Sequence, residues 1–305
     1  MRSVAVRASM PTVGVVGVGY IGKRFLDRLA DSEYDTVAYD VDESQVEAAT
    51  ERGAVAAESP ADLARRSAFV VLALPGTPEV EAVMESEDGL LGALSAGQTV
   101  VDATTTHPDT ARECEAWCDE RGAAFVEAPI TRAAPRDGAH MMVGGTETAY
   151  ESARELIAVL SDDHLHVGPA GKATILKLAL QMRYAGRNAL DAEIVEFARD
   201  NGVDPAHLRD FFGMDVSERL LDREFAQGIE GLGGLAIWHK DIGYAREVAH
   251  GAGTALPINA AVHEAYKATD RRGSSEEGHA ATVLRYWELL NGAAERAFQP
   301  AADGE

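Results

Sequence analysis

Residues 13–43 read VGVVGVGYIGKRFLDRLADSEYDTVAYDVDE, with glycines at 14, 17, 19 and 22 closing an apolar run and opening an amphipathic one. Gly17-Val18-Gly19-Tyr20-Ile21-Gly22 has the spacing G-x-G-x-x-G, directly after a strand-like segment and directly before a helix-like one. In that frame the first glycine permits a tight turn. The second lets a pyrophosphate approach the backbone, and the third lets helix and strand pack closely. The helix start adds unpaired N–H groups and a partial positive charge. Gly17, Gly19, Tyr20, Ile21 and Gly22 are therefore expected to cradle a dinucleotide. Asp40 ends the next strand-like run, 18 residues after Gly22. A carboxylate there accepts hydrogen bonds from ribose hydroxyls and repels a 2′-phosphate. Asp42 and Glu43 add to that repulsion, so NAD is expected in preference to NADP.

The glycine motif opens a longer alternation. From Pro11 to about Val167, short apolar runs (TVGVVGV, TVAYDV, AFVVLALP, QTVVDAT, AAFVEAPI) alternate with helical stretches such as GKRFLDRLADS and PDTARECEAWCDERG. Strands that alternate with helices predict a parallel sheet covered on both faces, the Rossmann doubly wound α/β class. The unbroken apolar run at 69–74 suits a central strand buried on both sides. Beyond HLHVGPAG the pattern changes. Residues 172–201 contain no proline and one glycine, with apolar side chains almost all round, which predicts a long helix buried between domains or subunits. Further helices follow over PAHLRDFFG, KDIGYAREVAHG, PINAAVHEAYKATD and HAATVLRYWELLNGAAERAF. The expected organisation is an extension at 1–10, a nucleotide-binding domain at 11–170, an all-α domain at 171–298 and a disordered tail at 299–305.

Charge bounds the partners. Asp and Glu number 50 against 28 Lys and Arg, a formal −22, and only five of the cations are lysines. Such a surface repels nucleic acid and anionic membranes, so neither is expected as a partner. The acids are spread along the whole chain, which suits a halophilic surface adapted to concentrated salt. No apolar run approaches the ~20 residues of a membrane span. Residues 1–10 lack the apolar core of a signal peptide, so a cytoplasmic protein is expected. Cys114 and Cys118, four apart on one helix, are poorly placed for a disulfide and are too few for a metal site. They read as reduced packing residues. His164 and His166 without a third ligand read as strand-end residues, and no metal is expected.

Taken in order, the motifs resemble the β-hydroxyacid dehydrogenase family, the group typified by 3-hydroxyisobutyrate dehydrogenase, over residues 12 to about 290. GVGYIG is similar to the family's glycine motif, and Leu74-Pro75 to the Leu-Pro that ends a cofactor-contacting strand. DATTTHP (102–108) resembles Asp-x-Ser-Thr-x-x-Pro, with Thr104 and Thr105 in the Ser-Thr places. APITRAAP occupies the substrate loop, GKATILKLALQ places Lys177 on the catalytic lysine, and HKDIG places Lys240 near the cofactor. The resemblance implies a Rossmann domain, a long linking helix and an all-helical second domain, assembled as a homodimer or homotetramer. It also implies a small acidic substrate held at Thr104, Thr131 and Gln181, with cofactor contacts from Leu74, Pro75, Thr105 and Lys240.

Hydride transfer at a hydroxyl carbon needs a group that takes or gives the oxygen's proton. A lysine does so when desolvation or a neighbouring cation lowers its pKa from ~10.4 towards neutrality. Lys177 sits in a largely apolar helix and is assigned that role. Gln181, one turn further on, stands where the family usually has asparagine and offers the same amide on a longer arm. The substrate loop departs most, since Thr131-Arg132-Ala133 replaces Ser-Gly-Gly. Thr131 keeps a hydroxyl, and Arg132 adds a cationic fork suited to a carboxylate, sulfonate or phosphate. Two other readings share these features. Imine reductases have the same fold but usually lack the lysine. A non-catalytic NAD-binding or scaffold protein would have no need of it.

Overall fold

The computed structural model describes residues 11–131, 138–216, 218–221 and 234–271. Two compact units make up the chain, Met1–Lys177 and Leu178–Glu305.

The first unit is built on β1 (Thr12–Val16), β2 (Asp35–Tyr39), β3 (Val55–Ala56), β4 (Phe69–Leu72), β5 (Thr99–Asp102), β6 (Ala124–Glu127), β7 (Ile130–Thr131), β8 (His140–Gly144) and β9 (Asp163–Gly168). Its helices are α1 (Tyr20–Ala30), α2 (Glu43–Thr50), α3 (Pro60–Arg66), α4 (Thr77–Glu85), α5 (Pro108–Asp119) and α6 (Glu147–Leu160). The strands lie in the order β3-β2-β1-β4-β5-β6-β8-β7, with β9 on β8. From β3 to β6 every pairing is parallel, as the alternation predicts.

The parallel-dominated sheet agrees with the expected class, and antiparallel pairing enters only beyond β6. Strand β8 runs antiparallel to both β6 and β7. Residues 132–139 separate β7 from β8, fewer than the dozen or so a parallel crossover needs, and the two strands pair antiparallel. Helix α6 then supplies a full crossover, and β9 returns parallel to β8.

Successive residues of the central strands face opposite layers. Val13, Val15, Val71 and Val101 pack with Phe25, Leu26 and Leu29 of α1 and Leu156, Ile157 and Leu160 of α6. Val16, Val70, Leu72 and Val100 pack instead with Leu63 of α3, Val80 and Met84 of α4, and Cys114 and Cys118 of α5. Burying each large aliphatic side chain contributes about 1.5–3 kcal/mol, which is what the unbroken FVVL run supplies on both faces. Both cysteines are free and fully buried. Burial pushes the Cys118 thiol up to about 12 and raises that of Cys114 as well, so they pack as inert apolar groups. His164 and His166 lie within β9, and the His166 ring stacks on Tyr150 at 4.6 Å.

Helix α7 (Lys172–Asp200) begins in the first unit and passes into the second. The second unit continues with α8 (Ala206–Asp210), α9 (Glu218–Leu221), α10 (Gly234–Ala252) and α11 (Pro257–Asp270). Its core gathers Ala185, Ala189, Ala192 and Val195 from one face of α7 against Val216, Leu220, Ile242, Val262 and Tyr266. The alanines leave room for Tyr266, whose hydroxyl reaches the Ala185 carbonyl at 3.4 Å. On the rest of α7, Leu190 is 55% exposed and Phe197 72% in the single chain. At about 100° per residue both lie across the helix from the alanine face, which the unit's own core cannot reach. The helix expected at 279–298 and the tail at 299–305 lie outside the described residues, as does the extension at 1–10.

Candidate active site

The C-terminal ends of β1, β4 and β5 meet where the strand order reverses, and the glycine motif fills that point. Gly17 has φ +89°, and a Cβ there would stand 2.5 Å from the Ala73 carbonyl oxygen. A Cβ at Gly22 would lie 1.9 Å from the Gly17 oxygen, so the third glycine lets the helix start against the turn. Gly19 differs from both, because a Cβ there meets no protein atom within 4 Å. Gly19 is also the cap of α1 and provides no side-chain hydrogen bond, which leaves the first N–H groups of the helix to other acceptors. An open side at the second glycine and an uncapped helix start fit the pyrophosphate of a dinucleotide. Tyr20 and Ile21 open that helix. The Tyr20 hydroxyl accepts from Arg24 Nη2 at 2.5 Å, and Arg24 lies over the Tyr20 ring.

Asp40 stands just beyond β2. Its Oδ2 accepts from the Val18 N–H at 2.6 Å and its Oδ1 from the Asp42 N–H at 3.0 Å. The acid therefore ties the glycine loop to β2, a bond that its sequence spacing did not announce. Asp42 caps α2, and its hydrogen bonds from Ser44 hold its carboxyl below the ordinary range. Leu74-Pro75 follows β4, and the Leu74 N–H donates to Thr104 Oγ1 at 3.1 Å. Thr104 is buried and its own N–H donates to Asp102 Oδ1 at 2.9 Å, while Thr105 is half-buried beside it. Gly17, Leu74 and Thr104 are thus brought together, with Asp102 as the support beneath them.

Lys177 is 7% exposed, and its Nζ donates to the Ile130 carbonyl at 2.9 Å. Thr131 follows Ile130 on β7 and pairs with His140. The amine thus lies at the strand that leads into the predicted substrate loop. Arg132 and the loop to residue 137 lie outside the described residues. Glu127, which sequence reasoning passed over, is 1% exposed at the end of β6. It accepts from the Ala173 N–H at 2.9 Å, the Thr174 N–H at 3.3 Å and Thr174 Oγ1 at 2.6 Å. Burial raises its carboxyl above the ordinary range, and these donors pull it back. Its sequence signal was an acid closing the apolar run AAFVEAPI.

In the second unit, Gln181 Nε2 donates to Asp241 Oδ2 at 2.6 Å. Asp241 is fully buried, and Lys240 Nζ lies 3.2 Å from its Oδ1 and 5.3 Å from the Tyr244 ring centroid. Gln181, Lys240 and Asp241 therefore form one polar group, with one amide N–H of Gln181 committed to the aspartate. Among the described residues, no three His, Cys, Asp or Glu side chains converge as metal ligands, and no helix is long and apolar enough to cross a membrane.

Residues 12–168 match the family model described as the NAD-binding domain of 6-phosphogluconate dehydrogenase. Residues 171–286 match that described as the NAD-binding domain of NADP-dependent 3-hydroxyisobutyrate dehydrogenase. The chain is 26% identical over 293 residues to 2-(hydroxymethyl)glutarate dehydrogenase of Eubacterium barkeri, covering 92% of this chain and 96% of that one. It is 25% identical over 294 residues to the mitochondrial 3-hydroxyisobutyrate dehydrogenase of Rattus norvegicus, covering 92% and 88%. In fold it is similar to the Mycobacterium tuberculosis 3-hydroxyisobutyrate dehydrogenase solved with L-serine, with TM-score 0.78, 20% identity, and coverage of 90% of this chain and 99% of that one.

Proposed function

The chain belongs to the β-hydroxyacid dehydrogenase family of NAD(P)-dependent oxidoreductases acting on CH–OH, and from that premise we propose that it interconverts a small β-hydroxy acid with its aldehyde or ketone, using NAD. Lys177 carries this reading. The chain has five lysines, and this one is buried with its Nζ at the strand leading into the substrate loop.

When bound, the nicotinamide ring takes or gives the hydride. In the oxidative direction Lys177 removes the hydroxyl proton as the carbinol carbon loses hydride, and in reduction it returns that proton to the carbonyl oxygen. Such a positioned acid–base group is worth about 10²–10⁴-fold in rate. The Thr131 hydroxyl and the Arg132 guanidinium receive the acidic head of the substrate, a carboxylate or a bulkier sulfonate. Thr104 and Gln181 are also assigned to the substrate. Gly17, Gly19, Tyr20, Ile21, Gly22, Asp40, Leu74, Pro75, Thr105 and Lys240 hold the dinucleotide. The enzyme works in the cytoplasm as a homodimer or homotetramer.

A panel of L-serine, 3-hydroxyisobutyrate, 2-(hydroxymethyl)glutarate and short hydroxysulfonates, assayed with NAD and with NADP, tests the proposal. Reduction of NAD by at least one of them is expected. Tight NAD binding with no turnover of any would replace this reading with a non-catalytic NAD-binding protein.

A further inference from the structure

Glu127 is a buried acid whose partners are helix N–H groups and a hydroxyl rather than a cation. A helix of this length could be capped by a serine or aspartate of its own. Here the acceptor arrives from β6, more than forty residues upstream. Two glycines make that possible. Gly171 turns with φ +87°, which lets the N–H groups of the first turn converge on one carboxylate. At Gly144 a Cβ would stand 2.2 Å from Glu127 Oε1, so the strand beside it has to be bare.

Lys177 lies four residues after Ala173 and three after Thr174, on the same face of α7. The segment from Glu127 to Ile130 therefore holds the start of α7 at two points. Its acid binds the first turn, and its Ile130 carbonyl receives the Lys177 amine one turn later. A closed ring results, running Glu127, Ala173 and Thr174, Lys177, Ile130 and back along the chain through Pro129. The Glu127 charge also lies against the positive end of the helix, where an anion is stabilised.

We propose that Glu127 is a positioning residue, whose buried carboxylate fixes the first turn of α7 so that the Lys177 amine is held at the Ile130 carbonyl. The proposal rests on the reading of Lys177 as the acid–base group. A carboxylate that only capped the helix would lower stability when removed but leave Lys177 unchanged in the folded molecule.

Limited acetylation of the full-length protein with an amine-reactive acetyl ester, quantified at each lysine by mass spectrometry, separates the two roles. Lys267, exposed on α11 and outside the first turn of α7, serves as the internal reference. Glu127→Gln keeps the size but turns an amide donor towards N–H groups, and Thr174→Val removes one donor without changing shape. Each should raise Lys177 labelling relative to Lys267 by about tenfold, the scale of losing a charge-assisted hydrogen bond. Thr174→Ser, which restores the hydroxyl, should return the wild-type ratio. An unchanged ratio in the folded variants, or equal labelling in Thr174→Ser and Thr174→Val, overturns the proposal. If Glu127→Gln does not fold, the Thr174 pair decides alone. Turnover of Lys177→Ala is measured separately. Unimpaired turnover removes the catalytic reading and leaves the tether standing, so the two failures are told apart.

Discussion

The Asp40 carboxylate accepts the Val18 N–H at 2.6 Å, binding the end of β2 to the middle of the glycine loop. One acid thereby shapes the glycine loop, and in the proposed NAD site it would also set the charge beside the adenosine ribose. With Asp42 and Glu43 beside it in sequence, a 2′-phosphate bound there would meet three acids. The expected outcome is a kcat/KM for NAD about tenfold or more above that for NADP, the scale of one charge-assisted contact. Asp40→Ala should weaken both cofactors and bring the ratio closer to one. Steady-state kinetics checks it, and a higher kcat/KM with NADP would reverse the assignment.

Lys177→Ala should lower kcat by about 10²–10⁴-fold while leaving NAD affinity near wild type. The separation follows from position. Lys177 sits at Ile130 on β7, whereas Gly17, Gly19 and Gly22 line the end of β1. Turnover and a cofactor titration on the same variant decide it. Unchanged kcat takes Lys177 out of the mechanism.

What the sequence made legible was short-range. Gly22 packs against Gly17, five residues away, and the parallel pairing of β1 to β6 follows from the βα alternation, so both were open to sequence reading, whereas the approach of Gly17 to Ala73 was not. Nor was Glu127. Its partners Ala173 and Thr174 are distant in sequence, and an acid at a strand end looks like a solvated one. The two-residue strand β3 was missed because its pairing with β2, rather than any pattern of its own, defines it. Helix α7 shows a further limit. Its apolar residues announced burial, but the periodicity did not say which face the unit's own core would cover, and Leu190 and Phe197 lie on the other.

The second unit should lose stability as pH falls through the histidine range. His263 in α11 is half-buried, with its Nδ1 2.6 Å from Arg246 Nη1 and its ring 4.8 Å from that of His239. Glu264 stands 3.5 Å from the same Nδ1, and Asp270 pairs with His239 at 3.0 Å. Burial, then His239 and Arg246, hold the His263 pKa below 6.5, and Glu264 opposes them. The folded state therefore binds this proton less readily than the unfolded one. Stability is greatest above about pH 6.5 and declines as pH drops towards the lowered folded value. Denaturant midpoints above and below that range should show the decline in wild type and a smaller one in His263→Gln. An equal decline in both would assign it to other groups.

A net charge of −22 with five lysines predicts stabilisation by salt. The screening length falls from ~30 Å at 0.01 M to ~3 Å at 1 M, which removes most self-repulsion between separated acids. Exposed pairs such as Arg52–Asp27 at 2.9 Å weaken under the same screening, but each is worth only about 0–1 kcal/mol. The repulsive sum dominates, so the melting temperature should rise with added KCl. A flat or falling curve would make the acidity incidental.

Gly19 and Gly22 separate folding from cofactor binding. At Gly22 a Cβ would lie 1.9 Å from the Gly17 carbonyl oxygen, a backbone atom that no rotamer change can move aside. Gly22→Ala must therefore shift α1 against the turn, at about 1–3 kcal/mol for an overpacked contact, and it should lower the melting temperature together with NAD affinity. At Gly19 the backbone is extended, with φ −71°, a conformation alanine adopts without strain, and its Cβ would meet nothing within 4 Å. Gly19→Ala should melt with wild type. Its methyl group nevertheless enters the space that a pyrophosphate needs at the helix start, so the Kd for NAD should rise by about tenfold or more, the scale of one lost charge-assisted contact. Calorimetric titration with NAD beside a thermal melt reads both effects. Wild-type NAD affinity in Gly19→Ala would mean that the open side of the loop faces solvent, and the dinucleotide would then have to be placed elsewhere on the sheet.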